Sequence, residues 1–131
     1  MKYLILIIGL CSTLSYGNDL ARGEFVSLNK DMTLLIKNDN QEKHKVKIDC
    51  IQPVSNKRFK KVKEFIQSKV KGKLLIYNAV SKNHILVGGV EDLTLSGLEW
   101  GIFALDKSCS DSKYIDAQLL GQKRKTGLWQ K

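Results

Sequence analysis

Chemically versatile side chains are concentrated at positions 46–54, which read V-K-I-D-C-I-Q-P-V. A lysine, a carboxylate, a thiol and an amide stand close together there: Lys47, Asp49, Cys50 and Gln52. The alternation of apolar and polar residues predicts a half-buried strand with Cys50 and Gln52 on one face and Asp49 on the other. Because neither face is purely apolar, this strand is a candidate catalytic centre as well as a structural element.

Residues 1–17 have the pattern of a secretory signal peptide. A basic residue precedes an apolar run over 3–14, which is too short to span a bilayer, and a small-x-small cleavage site follows. A retained anchor, or a lipid attached to Cys11, is the alternative. We therefore expect one mature domain, residues 18–131, that is periplasmic or secreted and has no stable membrane span.

Export changes what the cysteines predict. Once the leader is removed, Cys50 and Cys109 remain, and two thiols in an oxidising compartment usually pair. We predict a disulfide between them, with two buried free thiols as the alternative. The two residues lack the spacing of a metal-binding or redox motif.

The formal net charge of the chain is +9. A basic exported domain is predisposed to bind polyanions, such as nucleic acid, anionic lipid headgroups, lipopolysaccharide or acidic glycans. A moderate positive charge that serves only solubility is the alternative.

Alternating runs bounded by turn residues predict five strands. They cover residues 23–28, 32–37, 44–52, 73–80 and 84–90. Short polar turns join the first three into an antiparallel meander, which Pro53 ends because proline cannot donate to the ladder. Gly88 and Gly89 lack the other residues of a phosphate loop, so they indicate a bulge or a bend.

The helices complete the predicted fold. Residues 55–72 carry apolar side chains at spacings of three and four between a serine cap and a glycine stop, which indicates an amphipathic helix. Residues 113–126 form a final helix capped by Ser112 or Ser110, and residues 92–103 fit either a short helix or an edge strand. This element order predicts a mostly β fold with α elements, a five-stranded OB-type barrel with about two to three helices.

Basic residues gather on the first helix. Between positions 57 and 73 there are eight lysine or arginine residues and one acid, Glu64. This pattern fits either a solvated helix face or a patch that faces a polyanion. The candidate binding residues lie on this helix, on the strand before it and at the end of the last helix: Lys45, Lys47, Lys57, Lys60, Lys61, Lys123, Arg124 and Lys125. Tyr77 and Trp100 fit either the core or a platform for stacking bases.

The chain resembles the staphylococcal nuclease-like (thermonuclease) family from about residue 22 to residue 129, and four stretches carry the resemblance. Residues 26–34, V-S-L-N-K-D-M-T-L, are similar to V-x-D-G-D-T, and residues 46–53 are similar to V-R-L-x-G-I-D-x-P-E. Residues 83–87, N-H-I-L-V, are similar to G-R-x-L-A. Residues 114–129 resemble a Y-x-x-A-E helix closing with G-L-W, which is the most specific match and concerns packing.

The resemblance implies a phosphodiesterase site that this chain retains only in part. Members of the family hold a calcium ion with aspartates, place a glutamate beside the attacking water and set two arginines on the phosphate. Asp31 matches one metal aspartate. The other positions differ. If the alignment has a gap, Gln52 replaces the second metal aspartate and Lys47 replaces the first arginine; without a gap, these positions are Ile51 and Val46. Val54 replaces the glutamate, and His84 replaces the second arginine.

These replacements weaken the implied chemistry. A hard divalent cation needs several oxygen ligands with negative charge among them, so Asp31 and Gln52 predict a weak metal site at most. Lysine keeps the charge of arginine but loses its bidentate fork. Lys47 and His84 are remnant candidates for metal-free phosphoester chemistry with imidazole as the base, and a surface histidine at a strand start is the alternative.

The sequence therefore predicts an exported nuclease-like OB-type domain that is catalytically impaired and binds nucleic acid or another polyanion, single-stranded nucleic acid first. An active nuclease, calcium-dependent or divergent, is the first alternative. An envelope module that binds lipid headgroups or an acidic protein is the second. We expect no cofactor unless the nuclease alternative holds, in which case it is calcium.

Overall fold

Alternating apolar residues build an antiparallel meander at the start of the described chain. A computed structural model describes residues 19–130. It contains β1 (Leu20–Leu28), β2 (Thr33–Asn38) and β3 (Lys43–Lys47), each antiparallel to its neighbour. Alternate residues of β2 are fully buried, as period-two alternation requires. The predicted meander is confirmed.

Two further strands close the sheet into a barrel. β4 (Leu75–Asn78) pairs with β1, and β5 (Asn83–Val87) pairs with β4. A parallel contact between β3 and β5 joins the ends, and the backbone N–H of Lys47 donates to the carbonyl oxygen of Lys82 at 2.8 Å. The sheet order is β3-β2-β1-β4-β5, followed at its edge by a sixth strand of 2 residues, and the pairing of β3 with β5 closes the five main strands. The predicted five-stranded OB-type barrel is confirmed.

The third strand is shorter than the sequence predicts. β3 ends at Lys47, and a turn follows in which Cys50 has a φ of 65°. This left-handed residue breaks the alternation, so Ile51 is buried and bridges Leu105 while Gln52 is exposed. The prediction that residues 44–52 form one strand with Cys50 and Gln52 on a common face is wrong.

The glycine pair ends the fifth strand. Gly88 and Gly89 have φ values of 64° and 77° and form the turn between β5 and β6 (Glu91–Asp92), so β5 stops at Val87 and does not reach residue 90. The next segment combines the two predicted possibilities, because the short β6 leads directly into α2 (Leu93–Glu99). The carboxylate of Asp92 caps α2 by accepting a hydrogen bond from the N–H of Leu95.

The two longer helices form where the apolar spacing predicts them. α1 (Asn56–Val70) lies between β3 and β4 and buries the side that carries Val62 and Ile66. In α3 (Ser112–Arg124) the cap is Asp111, whose carboxylate accepts from the N–H of Lys113, and not Ser112 or Ser110. Ser112 is already the first helical residue, so its side chain cannot serve as the cap.

No helix within residues 19–130 is both long enough and apolar enough to cross a membrane.

A disulfide links the turn after β3 to the segment before α3. Cys50 and Cys109 are bonded, with their Cα atoms 5.4 Å apart. The N–H of Asp106 also donates to the carbonyl oxygen of Cys50. The predicted pairing is therefore present, whereas the predicted signal peptide and Cys11 lie outside the described residues.

An ion pair connects α1 to β6, and its loss should appear in the pH dependence of stability. The ammonium of Lys69 lies 2.7 Å from the carboxylate of Glu91, which also accepts from Ser96. The hydrogen bond from Lys69, followed by the one from Ser96, lowers the pKa of Glu91. A carboxyl group with a lowered folded-state pKa stabilises the fold above its unfolded-state pKa, and this contribution is lost as the pH falls.

We expect Glu91→Gln to reduce the free energy of unfolding by up to about 1 kcal/mol at pH 7. The difference from the parent protein should shrink as the pH is lowered through the unfolded-state pKa, near 4.5, toward the lowered folded-state value. Urea denaturation at several pH values measures this difference. If the difference in free energy of unfolding between Glu91→Gln and the parent protein stays constant over that pH range, the Glu91 carboxylate does not stabilise the fold through its ion pair.

Gly97 is required where α2 packs on Phe103. A Cβ atom at Gly97 would lie 2.1 Å from the Phe103 ring, and that ring is buried. Its centroid lies 6.5 Å from that of Phe65 on α1, in an edge-to-face arrangement. Overpacking at such a site costs about 1–3 kcal/mol, so Gly97→Ala should lower the urea midpoint accordingly. Ser68→Ala, at an exposed position of α1, is the control. Equal urea midpoints for the two variants would show that the close packing of Gly97 on Phe103 is unimportant for stability.

Candidate polyanion-binding surface

A cleft of about 400 Å³ lies where the β1–β2 turn meets the end of β3. It brings together three of the residues that the resemblance singles out, Asp31, Lys47 and Gln52. Lys30 and Asp106 line the same cleft. The site therefore contains two ammonium groups, two carboxylates and an amide.

The carboxylate of Asp31 stabilises the β1–β2 turn through hydrogen bonds from Thr33. Its Oδ1 atom accepts hydrogen bonds from the backbone N–H of Thr33 at 3.1 Å and from the Thr33 hydroxyl at 2.6 Å. These bonds lower the pKa of Asp31, and the positive charge of Lys45 contributes in the same direction. The carboxylate is thus held in the turn by Thr33 and lies within the field of a β3 lysine.

The side chains of Gln52 and Asp106 also form hydrogen bonds in or beside the cleft. Gln52 donates from Nε2 to the carbonyl oxygen of Leu105 at 3.0 Å, and Asp106 accepts from the hydroxyl of Ser108. No local sequence pattern indicates Asp106, because its position in the cleft depends on the pairing of Ile51 with Leu105 across more than 50 positions. Lys30 has no sequence signal other than its position next to Asp31 in the turn.

This donor set does not fit calcium. A hard cation favours several negatively charged oxygens, whereas here two hydrogen-bonded carboxylates share the cleft with Lys30 and Lys47. Residues 19–130 contain no cluster of three or more His, Cys, Asp or Glu side chains arranged to hold a metal ion. We therefore derive no chemical step through calcium in this cleft.

His84 belongs to a different group of side chains. Its Nδ1 atom lies 3.4 Å from the Tyr114 hydroxyl and 3.7 Å from Oδ2 of Asp49, and it does not line the cleft that contains Lys47. Lys47 and His84 nevertheless lie on paired strands, because Asn83, the neighbour of His84, pairs with Lys47. The sequence offers little indication that His84, Tyr114 and Asp49 come together. Its one relevant prediction is that Asp49 and Gln52 lie on opposite faces of the strand.

Tyr114 anchors α3 to the barrel within that group. Its hydroxyl donates to Oδ2 of Asp92 at 2.6 Å, and the ammonium of Lys113 lies 3.7 Å from the same oxygen. Burial, and after it the hydrogen bond to Asp92, raises the pKa of Tyr114. The phenol therefore stays protonated at neutral pH and acts as a hydrogen-bond donor that positions the helix.

The basic side chains of α1 point away from the core. Lys57, Lys60 and Lys61 are exposed, whereas Val62 and Ile66 are buried. The ammonium of Lys30 lies 5.9 Å from the centroid of the Phe59 ring, on the first half of the helix. The first half of the helix therefore adjoins the cleft.

Arg58 connects α1 to the segment that precedes the last helix. Its guanidinium donates to the carbonyl oxygens of Ile102 at 3.0 Å and Gly101 at 3.5 Å. Trp100 adjoins that segment, and the guanidinium of Arg124 lies 5.3 Å from its ring centroid. Arg124 thus contacts this junction from the end of α3, where Lys123 and Lys125 are also exposed.

The candidate cations form no ion pairs within residues 19–130. In that range the ion pairs of lysine and arginine involve Arg22, Lys69 and Lys113. The eight predicted binding residues are exposed and absent from these pairs: Lys45, Lys47, Lys57, Lys60, Lys61, Lys123, Arg124 and Lys125. We refer to these eight residues together with Lys30 as the basic surface.

The two aromatic candidates have opposite environments. Tyr77 is 2% exposed and belongs to the core, so it cannot stack on a ligand. Trp100 is 49% exposed. The sequence left both possibilities open for each residue; burial places Tyr77 in the core and Trp100 outside it.

Within residues 19–130 the fold defines a small OB-type barrel with three α-helices. Comparisons of the sequence with protein-family models and with curated proteins find no match.

Proposed function

We propose that this protein binds a polyanion, with single-stranded nucleic acid as the first candidate, through the basic surface. The observation that carries the proposal is the set of exposed lysine and arginine side chains that have no carboxylate partner within residues 19–130. Unpaired cations on a single surface release counterions from a phosphate backbone when they bind it. OB-type barrels also provide grooves for single strands, which favours an unpaired strand over a duplex.

The proposal includes a nuclease-like origin and an exported location. The four stretches of resemblance fall on a chain with an OB-type barrel, which is the fold expected of that family. A disulfide is typical of an oxidising compartment, so the bond between Cys50 and Cys109 supports export. The altered cleft supports loss of the family's calcium-dependent activity.

Binding of a fluorescently labelled single strand of about 12 nucleotides tests the proposal, since OB-type sites cover about 4–16 nucleotides. Duplex DNA of the same length and vesicles that contain anionic lipid are measured in parallel. We expect the single strand to bind most tightly at low salt. A clear preference for vesicles would instead support the envelope-module alternative, and no binding to any of the three would refute the proposal.

A divergent nuclease is the second candidate, because Asp31, Lys47 and Gln52 share one cleft. Lys47 could stabilise charge on a phosphate oxygen, but no carboxylate takes the position of the family's glutamate, which is Val54. Incubation of the purified protein with single- and double-stranded DNA, first with calcium and then with a chelator, tests this candidate. Cleavage that Lys47→Gln abolishes would establish it, and intact DNA at high protein concentration under both conditions would eliminate it.

A further inference from the structure

We propose that Trp100 and Arg124 form a stacking site for an unpaired nucleobase. This inference rests on the proposed function, because the neighbouring cations must first recruit the nucleic acid. The cations bind any polyanion, whereas Trp100 and Arg124 would distinguish a ligand that carries bases from one that carries only charge.

Trp100 is a large aromatic side chain on the surface. Its exposed fraction is 49%, although Arg124 lies over the ring at 5.3 Å from the centroid. A planar guanidinium and an indole both stack favourably on the face of a base. A substantial part of this pair is therefore open to a planar ligand.

The backbone around the pair is fixed. The N–H of Leu128 donates to the carbonyl oxygen of Gly101 at 2.8 Å, and a Cβ atom at Gly101 would lie 2.1 Å from the carbonyl oxygen of Thr126. The end of α2 and the end of α3 thus pack backbone against backbone. Trp100 and Arg124 are presented from two elements held in register, so little ordering is needed when a ligand binds.

Cations on both sides of the pair suit the phosphates that flank a stacked base. Lys123 and Lys125 adjoin Arg124 in the chain and are exposed. Arg58 bonds to the carbonyl oxygens of Gly101 and Ile102, which brings the N-terminal half of α1 to the same junction. A strand could therefore place one base on Trp100 while its phosphates extend toward the lysines of α1.

The experiment compares a single-stranded oligoadenylate with inorganic polyphosphate, which carries charge but no bases. Tryptophan emission of the protein should be quenched by the oligoadenylate and not by polyphosphate, because only the former places a ring against the indole. The chain has one other tryptophan, Trp129, so the quenching should be absent in Trp100→Phe.

Trp100→Leu should bind oligoadenylate roughly tenfold more weakly, in line with the effect of removing one base-stacking aromatic ring. Its affinity for polyphosphate should be unchanged. Leu119→Ala is the matched control, because it also removes an exposed apolar side chain, in this case from α3. It should bind both ligands as the parent protein does.

The outcomes separate this inference from the proposed function. Parental binding by Trp100→Leu, or an equal loss of affinity for both ligands, would overturn the stacking site and leave polyanion binding intact. Failure of both ligands to bind the parent protein would overturn both proposals. If Trp100→Leu does not fold, the emission of the parent protein still decides, because unquenched emission at saturating oligoadenylate contradicts stacking.

Discussion

Replacing Lys57, Lys60 and Lys61 together by glutamine should weaken binding of a single-stranded oligonucleotide on the order of 100-fold at about 0.1 M salt. The three side chains are exposed on α1 and form no ion pair within residues 19–130, so each is free to contact a phosphate. A contact to a single strand contributes about 0.7 to the slope of log affinity against log salt, and three contacts multiply. Fluorescence anisotropy titrations at a fixed salt concentration measure the loss.

A charge-matched variant on another part of the surface separates specific contacts from net charge. Lys71 and Lys73 are exposed, and Lys71 lies about 21 Å along the helix direction from Lys57 at 1.5 Å per residue. The double variant Lys71→Gln, Lys73→Gln should lose much less affinity for the oligonucleotide than the double variant Lys57→Gln, Lys60→Gln, because long-range charge is screened beyond about 10 Å at 0.1 M salt. Equal losses for the two variants would show that total charge, and not the basic surface, determines binding.

Loss of the disulfide should cost about 4 kcal/mol of the free energy of unfolding. The bond spans a sequence separation of 59 residues, and the chain-entropy model assigns a large constraint on the unfolded state to a loop of that length. Small domains are stable by only about 5–15 kcal/mol, so this loss is a large part of the total.

Urea denaturation of the double variant Cys50→Ala, Cys109→Ala measures this cost. The reduced parent protein should denature at about the same urea concentration as the variant, and adding reductant to the variant should change nothing further. A parent protein whose midpoint is insensitive to reductant, with both thiols open to alkylation in the folded state, would contradict the bond.

Local signals in the sequence were sufficient for the barrel. Short turns and alternation predicted the meander, the apolar spacing predicted α1, and the two remaining cysteines predicted their own pairing. The end of the third strand was predicted wrongly, because a cysteine with a φ of 65° has no sequence signature comparable to a glycine. This single residue exposes Gln52 and turns Ile51 inward.

The composition of the candidate site depended on contacts that no local pattern encodes. Asp106 reaches the cleft through long-range pairing, whereas His84 contacts Tyr114 and Asp49 and does not line that cleft. The exposure of Trp100 likewise follows from how α2 ends against α3. Sequence patterns predict which residues carry charge, whereas tertiary packing determines which of them share a surface.

The salt dependence of oligonucleotide affinity tests polyanion binding most directly. If three to five exposed cations contact phosphates, a plot of log affinity against log salt for the parent protein should have a slope of about −2 to −3.5. The slope for the Lys57, Lys60 and Lys61 variant should be shallower by about 2. A parent slope near zero, or no measurable binding at low salt, would contradict the proposal that this basic surface binds a polyanion.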